Sequence, residues 1–561
     1  MKKTFSDHQI RVPQDFPTLA QALQASRDGN EILLSSGKYL LSEPLIIEKN
    51  VILRGENSLE DVMIILSDSS LLHVSGGNPE FQNISFLSAG INICAVFVTG
   101  GKPTFSNCEI STPNGGGVVV EGNSADPVFN SVNINACENY GILIHANGKG
   151  FFKNCEISEC HDDGIEVRTG GNPVFEECRI FRTRANGCSF SQKARGRFIH
   201  CDFFKNEGCG LWIEKESDPR LEDCRFYQNM VGCWMEKRSF PIFTNCEFCQ
   251  NDGMGLMGKN SSPTLTNCHF YENNLSGICL SEGSKGEFKE CQIFENKFVG
   301  IQIQKKANPS FIASSIFNEP KGGVFIDSGG MGNFSDCEIQ RTGESSFVIQ
   351  HGGNPTVVNS RIRSSRKEGI HITRGGRGRF EKCEIFQNKK AGILVKKKGN
   401  PVFEGCWIHH GMKTGVRVVQ SGKGTFKNCE ISENQDMGFL IKTGGNPWVH
   451  RCLIHDGFSA GIGVYHKGKG RFLDCVIIRN ASSGVWVGPW GEPVVESCQI
   501  RNGKSEGIEI DEDGRGTFLN NRIENHFRGK EKRDWFVDRY AGEVNASGNV
   551  PQMPRSSHEN D

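Results

Sequence analysis

The sequence has no run of about 18 apolar residues, which is the length that a membrane-spanning helix requires. It has no marked excess of charge either, because 64 basic residues stand against 65 acidic ones. No basic stripe predicts binding to nucleic acid, and no cationic face predicts binding to a membrane. The first 16 residues contain two lysines but no apolar segment of the kind found in secretory signals. These absences favour a protein of the cytoplasm.

A phenylalanine–cysteine–isoleucine motif, F-x-x-C-x-I, recurs every 22 to 24 residues, as in Phe152-Cys155-Ile157 and Phe426-Cys429-Ile431. The cysteine position defines a register column with 20 members. The column consists of Ile84, Cys108, Val132, Cys155, Cys178, Cys201, Cys224, Cys246, Cys268, Cys291, Ser314, Cys337, Ser360, Cys383, Cys406, Cys429, Cys452, Cys475, Cys498 and Asn521. A period this strict predicts an architecture of stacked repeats.

Each repeat carries two short segments in which apolar residues alternate with polar ones. The first segment is C-x-I or C-x-F, and the second begins with glycine nine residues later, as in 164–167. Alternation with a period of two predicts strands, and glycine-, asparagine- and proline-rich turns such as 171–173 separate them. Because such short strands cannot bury a face alone, successive coils must stack on one core. The prediction is an all-β parallel β-helix solenoid of about 20 coils.

Three regions are predicted along the chain. Residues 1–66 form an N-terminal cap, with a helix over Pro17–Ser26 followed by irregular first coils at Glu31–Leu34, Leu45–Ile47, Val51–Leu53 and Val62–Leu66. Residues 67–525 form the repeat array. Residues 526–561 form a C-terminal cap built on Trp535, Phe536, Val537 and Tyr540, and polar composition predicts disorder from about residue 545.

Fifteen of the 23 cysteines lie in the register column. We interpret them as small apolar residues that fill a repeated, inward-facing position on a strand. Ile84, Val132 and Ser314 occupy the same position, which favours packing over metal binding. The odd number of cysteines argues against a disulfide framework, so the thiols also favour a reducing cytoplasm. The single C-x-x-C string, Cys246–Cys249, lacks the second pair that a zinc site needs.

The run from His455 to Gly488, together with coils that alternate between Asn-Pro and Gly-x-Gly openings, resembles the right-handed β-helix of pectate-lyase-like repeat proteins. It looks closest to the β-helix region of F-box-only ubiquitin-ligase substrate receptors. Residues 12–25 are similar to the helical entry segment of pectin-esterase-like β-helices. The resemblance implies a right-handed solenoid that presents a surface to a partner. Neither an F-box segment nor a Cys/His zinc-finger cluster is recognised, so the ubiquitin-receptor role is not carried over.

The chemistry that enzymes place on such a fold is not evident. Asp162-Asp163 lies in a turn, and Asp218-Pro219-Arg220 opens a coil where an epimerase motif would read D-P-H. The acidic group Glu506, Glu509, Asp511, Glu512 and Asp513 has the oxygens that calcium requires, but a solvated polar rim is the favoured interpretation. His409 and His455 share one position two coils apart, so roughly 10 Å separates them, too far for one metal. We therefore predict no catalytic residue, metal site or cofactor.

One outward column is more apolar than a solvated face should be. The position between the two apolar residues of each glycine-led strand points outward, and eleven of its 18 members are apolar. The 18 members are Val119, Leu143, Glu166, Ser189, Trp212, Trp234, Met257, Cys279, Gln302, Phe325, Val348, His371, Leu394, Arg417, Leu440, Gly463, Trp486 and Glu509. A contiguous exposed apolar strip indicates a partner or ligand site. Alternatively, turn loops or the C-terminal tail cover it.

Two functions follow from these patterns. The first is a non-catalytic scaffold that binds a protein partner through Trp212, Trp234, Met257, Phe325 and Trp486. The alternative is a carbohydrate-active enzyme, a lyase, hydrolase or epimerase, that acts on an acidic polysaccharide with carboxylates near Glu166 or Glu509. A purely structural rod or a homo-oligomer that uses the same strip is the third interpretation.

Overall fold

The structure is a computed structural model that describes residues 9–554. It is an all-β parallel solenoid of about 23 turns, which confirms the predicted fold class. Each turn contributes one strand to each of three parallel sheets. Sheet 1 contains the phenylalanine of the motif, sheet 2 the isoleucine, and sheet 3 the glycine-led strand. The chain divides into two compact units, Met1–Gly277 (unit 1) and Ile278–Asp561 (unit 2).

In unit 1, most strands have three or four residues. The strands of sheet 1 are Gln9–Val12, Glu31–Leu34, Ile52–Gly55, Glu80–Gln82, Thr104–Ser106, Val128–Asn130, Phe151–Lys153, Val174–Glu176, Arg197–Ile199, Arg220–Glu222, Ile242–Thr244 and Thr264–Thr266. Those of sheet 2 are Gly37–Leu40, Val62–Leu66, Ser85–Ser88, Glu109–Ser111, Asn133–Asn135, Glu156–Ser158, Arg179–Phe181, Asp202–Phe204, Arg225–Tyr227, Glu247–Cys249 and His269–Tyr271. Those of sheet 3 are Leu45–Ile47, Leu72–Val74, Cys94–Val98, Gly116–Glu121, Ile142–His145, Ile165–Arg168, Cys188–Ser191, Cys209–Ile213, Val231–Glu236 and Leu256–Lys259.

In unit 2, the same three sheets recur. The strands of sheet 1 are Glu287–Lys289, Ser310–Ile312, Asn333–Ser335, Thr356–Val358, Arg379–Glu381, Val402–Glu404, Thr425–Lys427, Trp448–His450, Arg471–Leu473, Val494–Glu496, Gly516–Leu519 and Val544–Ser547. Those of sheet 2 are Gln292–Phe294, Ser315–Phe317, Glu338–Gln340, Arg361–Arg363, Glu384–Phe386, Trp407–His409, Glu430–Ser432, Leu453–His455, Val476–Ile478, Gln499–Arg501 and Arg522–Glu524. Those of sheet 3 are Ile278–Ser281, Ile301–Ile303, Val324–Ile326, Phe347–Ile349, Ile370–Ile372, Ile393–Val395, Val416–Val418, Phe439–Lys442, Ile462–Tyr465, Val485–Val487, Ile508–Ile510 and Trp535–Val537.

The N-terminal segment contains an α-helix, Leu19–Ala25, inside the range predicted for it. Its N-cap is Thr18, whose hydroxyl accepts a hydrogen bond from the backbone N–H of Gln21. A 3₁₀-helix spans Leu59–Asp61. The strands predicted for the first coils are confirmed, although the third spans Ile52–Gly55 instead of 51–53.

The C-terminal segment differs from its prediction, because it forms a further coil where a cap and a disordered tail were expected. The strand Trp535–Val537 pairs with Ile508–Ile510 in sheet 3, and Val544–Ser547 pairs with Gly516–Leu519 in sheet 1. A short antiparallel hairpin of Phe527–Arg528 and Glu531–Lys532 precedes this coil. The polar composition was misleading because the ladder hydrogen bonds of these strands come from the backbone and do not require apolar side chains.

The register cysteines are buried as predicted, but they do not lie on strands. Cys155, for example, lies between the strands Phe151–Lys153 and Glu156–Ser158, directly after Asn154, whose φ of 51° is left-handed. Its thiol donates hydrogen bonds to the carbonyls of Phe129 and Lys153. The column therefore fills the inside of the tight corner between sheets 1 and 2, which requires a small side chain. Burial raises the pKa of the Cys108 thiol in this column to about 12.

A ladder of buried asparagines lines the turn between sheets 2 and 3 in unit 1. Asn206, Asn229, Asn251 and Asn273 occupy equivalent positions in successive coils. The Nδ2 atom of Asn229 donates to the carbonyl of Phe203, and its Oδ1 accepts hydrogen bonds from the N and Nδ2 atoms of Asn206. The ladder thus satisfies the backbone of a turn that has no strand partners.

Candidate functional site

The tryptophan pair, Trp212 and Trp234, lies on the outward face of sheet 3 in unit 1. The two residues are register partners on adjacent strands, and Met257 is the next partner of Trp234. Trp212 is 36% exposed, whereas Trp234 and Met257 are half-buried. Adjacent large side chains in this register form one contiguous apolar area. The predicted apolar column is therefore accessible at this place.

Charged side chains surround the tryptophan pair. The Lys259 ammonium lies 4.9 Å from the centre of the Trp234 ring. Glu214 accepts a 2.6 Å ion pair from Lys237 and a 3.0 Å ion pair from Lys215. Burial opposes ionisation of Glu214, but the hydrogen bonds from these lysines outweigh it and lower its pKa. An apolar centre with a rim of fixed charges is the usual organisation of a protein–protein interface.

Outside this block, the predicted strip is not continuously exposed. In unit 2, Leu394 and Leu440 are buried in a cluster with Val419, against which Met437 and Tyr465 pack. Val119 and Leu143 of unit 1 and Cys279 of unit 2 are buried as well. The column is therefore buried at these positions and exposed at Trp212.

Two further predicted partner-binding residues lie in unit 2. Phe325 is half-buried and is the register partner of Gln302 and Val348. Trp486 is half-buried too, and its Nε1 donates a 2.8 Å hydrogen bond to Asp511. The Trp486 ring also packs on Tyr465, with 5.3 Å between ring centres. Within unit 2, Phe325 and Trp486 lie on strands that are not neighbours in sheet 3, so these two side chains do not form one contiguous patch.

Sheet 2 carries a second outward surface in unit 1 that was not predicted. Phe181, Phe204 and Tyr227 stack in successive coils with 4.9 Å between ring centres. The Arg179 guanidinium lies 5.3 Å from the centres of the Phe181 and Phe204 rings. Arg225 forms two hydrogen bonds of 2.8 and 2.7 Å with Asp202. Aromatic faces and bidentate arginine–carboxylate pairs thus cover this face.

In unit 2 the corresponding face forms a groove, which we call the Trp407 groove. It is a cavity of about 710 Å³ whose lining includes Arg361, Lys382, Glu384 and Trp407. Trp407 is 39% exposed, and its Nε1 donates a hydrogen bond to Ser432. Arg361 donates a 2.8 Å hydrogen bond to Glu384. The groove combines an exposed aromatic ring with cations and carboxylates.

The histidines of this face bind carboxylates individually. His409 Nε2 lies 3.2 Å from Glu384, and His409 Nδ1 lies 2.6 Å from Nδ1 of His410. His455 Nε2 lies 3.1 Å from Glu430. Burial lowers the pKa of His409, because the charged imidazolium is penalised inside the stack of Phe386 and Trp407. Within residues 9–554, no group of three or more His, Cys, Asp or Glu side chains is arranged to hold a metal ion.

The acidic group near residue 510 is not a uniform solvated rim. Glu506 is buried and is hydrogen-bonded by the hydroxyl of Ser505. The Ser483 hydroxyl donates to Glu509, which is half-buried on sheet 3. Glu166, the other carboxylate predicted for an enzyme, is held 3.0 Å from Arg168, and burial raises its pKa. The carboxylates named for the enzyme hypothesis therefore already have protein partners.

Comparison with known families identifies the family to which the chain belongs. The family model described as "Right handed beta helix region" matches residues 64–218, 117–262, 255–408 and 391–532. The chain belongs to the right-handed β-helix family. The handedness implied by the predicted resemblance is thereby supported, whereas the closer resemblance to F-box-only receptors stays a prediction.

Solved structures similar to this right-handed β-helix protein include several carbohydrate-active enzymes. Pectate lyase Pel9A is 15% identical over 50% of this chain and 70% of its own, with a TM-score of 0.30. A periplasmic alginate epimerase AlgG mutant is 13% identical over 60% and 80%, with a TM-score of 0.35. The catalytic domain of a GH87 α-1,3-glucanase mutant is 12% identical over 58% and 67%, with a TM-score of 0.40. These likenesses extend to the fold alone. No curated protein matches the chain.

The outward face of sheet 2 could have been found from the repeat itself. In this right-handed β-helix the residue after the motif isoleucine points outward, and it reads Phe181, Phe204 and Tyr227 in three consecutive repeats. The prediction considered only the glycine-led strand.

No helix in the described part of the chain is long and apolar enough to span a membrane.

Proposed function

We propose that this right-handed β-helix is a non-catalytic scaffold that binds a protein partner through the tryptophan pair of unit 1. The observation that supports it most is the exposed ring of Trp212, register partner of Trp234, on the flat face of a parallel sheet. Tryptophan is enriched among the residues that dominate binding energy at interfaces. A rigid sheet positions the rings before binding, so that little conformational entropy is lost when a partner docks.

The rim of the tryptophan pair defines the partner's chemistry. Glu214 and Glu236 both bind Lys237, and Lys259 covers part of the Trp234 ring. These charges pair with each other, which leaves no strong field of one sign to select a highly charged ligand. We therefore expect a partner segment with one or two apolar anchors and polar flanks. The cytoplasmic location expected from the many thiols is part of the same proposal.

The carboxylates support binding over catalysis. General acid–base catalysis requires carboxyl groups whose protonation matches a reaction step. Asp202 and Glu384 instead accept arginine hydrogen bonds on the two sheet 2 faces. Asp456 is a stronger case, since hydrogen bonds from Arg479 lower its pKa to about 2. Asp456 therefore remains ionised and acts as a structural acceptor.

The test is a quantitative affinity purification from the native source with the wild-type chain and with a Trp212→Ala/Trp234→Ala double variant. The matched control is Trp448→Ala, because Trp448 is 39% exposed on sheet 1 of unit 2 and is not part of the tryptophan pair. We expect one partner to be recovered by wild type and by Trp448→Ala, and to be lost with the double variant of unchanged circular dichroism. Recovery of the same proteins by all three chains contradicts the proposal.

The Trp407 groove favours the second candidate, a carbohydrate-active protein that takes an acidic polysaccharide. Exposed aromatic rings stack on apolar sugar faces, and Arg361 and Lys382 are the cations that would bind uronate carboxylates, in competition with Asp336, Glu338 and Glu384, which line the same groove. The test is calorimetry with oligogalacturonate and oligomannuronate, followed by product analysis. Binding that Trp407→Ala abolishes supports this candidate, and products that depend on the groove would make it an enzyme. No heat with either oligosaccharide contradicts it.

A further inference from the structure

A second cavity of unit 2 lies along the turn between sheets 2 and 3, and we call it the basic cavity. Its volume is about 560 Å³, and Arg341, Arg366 and Lys389 from three successive coils line it. Asn318 and Ser364 add neutral polar groups, and Glu319 lies at its inner wall. This cavity belongs neither to the tryptophan pair nor to the Trp407 groove.

The three cations are not neutralised by the protein. Among the described residues, none of them forms an ion pair with a carboxylate. Arg341 is held in place, because its Nε donates a 2.9 Å hydrogen bond to Asn318 and its guanidinium lies 5.7 Å from the Phe317 ring centre. The nearby Glu344 is already paired with Lys367. The cavity therefore keeps its positive charge.

The carboxyl group at the inner wall does not cancel that charge. Glu319 is fully buried, and its Oε1 accepts a 2.9 Å hydrogen bond from Asn296. Its Oε2 has no hydrogen-bond partner among the described residues. Burial raises the pKa of Glu319 to about 8, although the hydrogen bond from Asn296 acts to lower it. Glu319 is therefore mainly a neutral acid at pH 7, with an O–H group that can donate.

The equivalent turn in unit 1 shows that the charge is not a consequence of the fold. A cavity of about 440 Å³ lies there, and Arg182 and Arg184 line it. Three carboxylates, those of Glu138, Glu159 and Glu207, line it as well. Glu159 lies within 3.7 Å of Arg182. The same turn is thus electrically compensated in unit 1 and strongly cationic in unit 2.

We propose that the basic cavity binds a phosphate monoester. Two guanidinium groups supply paired N–H donors that match a phosphate, and the Lys389 ammonium adds a third positive charge for the dianion. The Ser364 hydroxyl can satisfy a remaining oxygen, whereas the Asn318 amide already donates to Glu295 and accepts from Arg341. The cavity is larger than one phosphate group, so it has room for the sugar or amino acid that carries the group. This proposal is independent of the function proposed for the tryptophan pair.

The experiment is isothermal titration of the full chain with inorganic phosphate, with a sugar phosphate and with phosphoserine. We expect saturable binding of phosphate at one site, and tighter binding of whichever ester resembles the natural ligand. The Arg366→Gln/Lys389→Gln variant removes two exposed cations and should weaken the binding by at least about tenfold, because the loss of even one hydrogen bond to a charged group lowers an affinity by about that factor. Arg184→Gln in unit 1 is the matched control and should leave the affinity unchanged.

Two results would overturn the proposal. One is the absence of saturable binding of all three probes to the wild-type chain at low ionic strength. The other is an unchanged affinity in Arg366→Gln/Lys389→Gln, or an equal loss in Arg184→Gln, which would mean that phosphate responds only to the general charge of the surface. Circular dichroism of each variant establishes that the coils remain folded.

Discussion

The buried polar groups of the turns between sheets 2 and 3 are hydrogen-bonded differently in the two units. In unit 1, Asn206, Asn229 and Asn251 continue a ladder of neutral amides, each of which donates and accepts. In unit 2, Glu319 occupies the position that follows Asn296 and accepts a hydrogen bond from it through Oε1, while its Oε2 has no partner among the described residues, so the amide ladder does not continue through Glu319. The comparison shows that a single substitution in a repeat can retain the backbone geometry while it introduces a group that titrates.

The outer sides of the same turns differ as well. Carboxylates accompany the arginines in unit 1, whereas Arg366 and Lys389 of unit 2 lack such partners among the described residues. The inward positions are constrained by packing, and they repeat from coil to coil. Outward positions are not constrained in this way, so individual coils can acquire binding groups without loss of the fold. In this chain, binding groups are thus to be sought where individual coils deviate from the repeat.

The largest effect should come from Glu319→Gln, which makes the unit 2 ladder neutral like that of unit 1. The pKa of Glu319 is about 8 when folded and its ordinary value is 4.5. The contribution of the protonated Glu319 carboxyl group to the free energy of unfolding is therefore fully present below pH 4.5 and is lost as the pH rises through 8. Glutamine does not titrate, so we expect it to raise the free energy of unfolding at pH 7 by on the order of 3 kcal/mol and to remove this pH dependence.

The measurement is urea denaturation of both chains between pH 5 and 9. The matched control is Glu344→Gln, since Glu344 lies in the next coil but is partly exposed and paired with Lys367. If the wild-type midpoint does not fall relative to that of Glu319→Gln as the pH rises, Glu319 is not a buried neutral acid.

A smaller effect is expected from Asn229→Ala, which interrupts the ladder in unit 1. The substitution leaves the carbonyl of Phe203 without its donor and the N and Nδ2 atoms of Asn206 without their acceptor. Buried polar groups without partners cost roughly 1–3 kcal/mol, so we expect a loss of about 2 kcal/mol. Urea denaturation measures it, with Asn172→Ala as control, because Asn172 is exposed in unit 1 and its backbone is not left-handed. An equal loss in both variants would show that the ladder has no special role.

The sequence predicted the parts of this molecule that packing dictates. The period, the buried cysteine column and the all-β class all follow from side chains that must face inward. The position of Cys155 in a corner instead of on a strand was missed, although the sequence carries a signal for it. The residue before the register position is left-handed, as at Asn154, and it is Asn, Asp or Gly in 12 of the 20 repeats, residue types that adopt this conformation readily. The exposure of Trp212 and the burial of Leu394 also could not be separated, since both occupy the same outward position and differ only in what covers them.

The smallest effect should come from the outward face of sheet 2, where Arg225→Ala removes a bidentate pair with Asp202 and a guanidinium 5.6 Å from the centre of the Tyr227 ring. Because Arg225 is half exposed, solvent screens the pair, and we expect a loss of only about 0.5–1 kcal/mol that shrinks in high salt. Arg182→Ala is the matched control, since its contact with Glu159 is 3.7 Å and both side chains are about 60% exposed. A loss in Arg225→Ala that salt does not reduce would mean that its packing on the aromatic stack, and not its charge, stabilises this face.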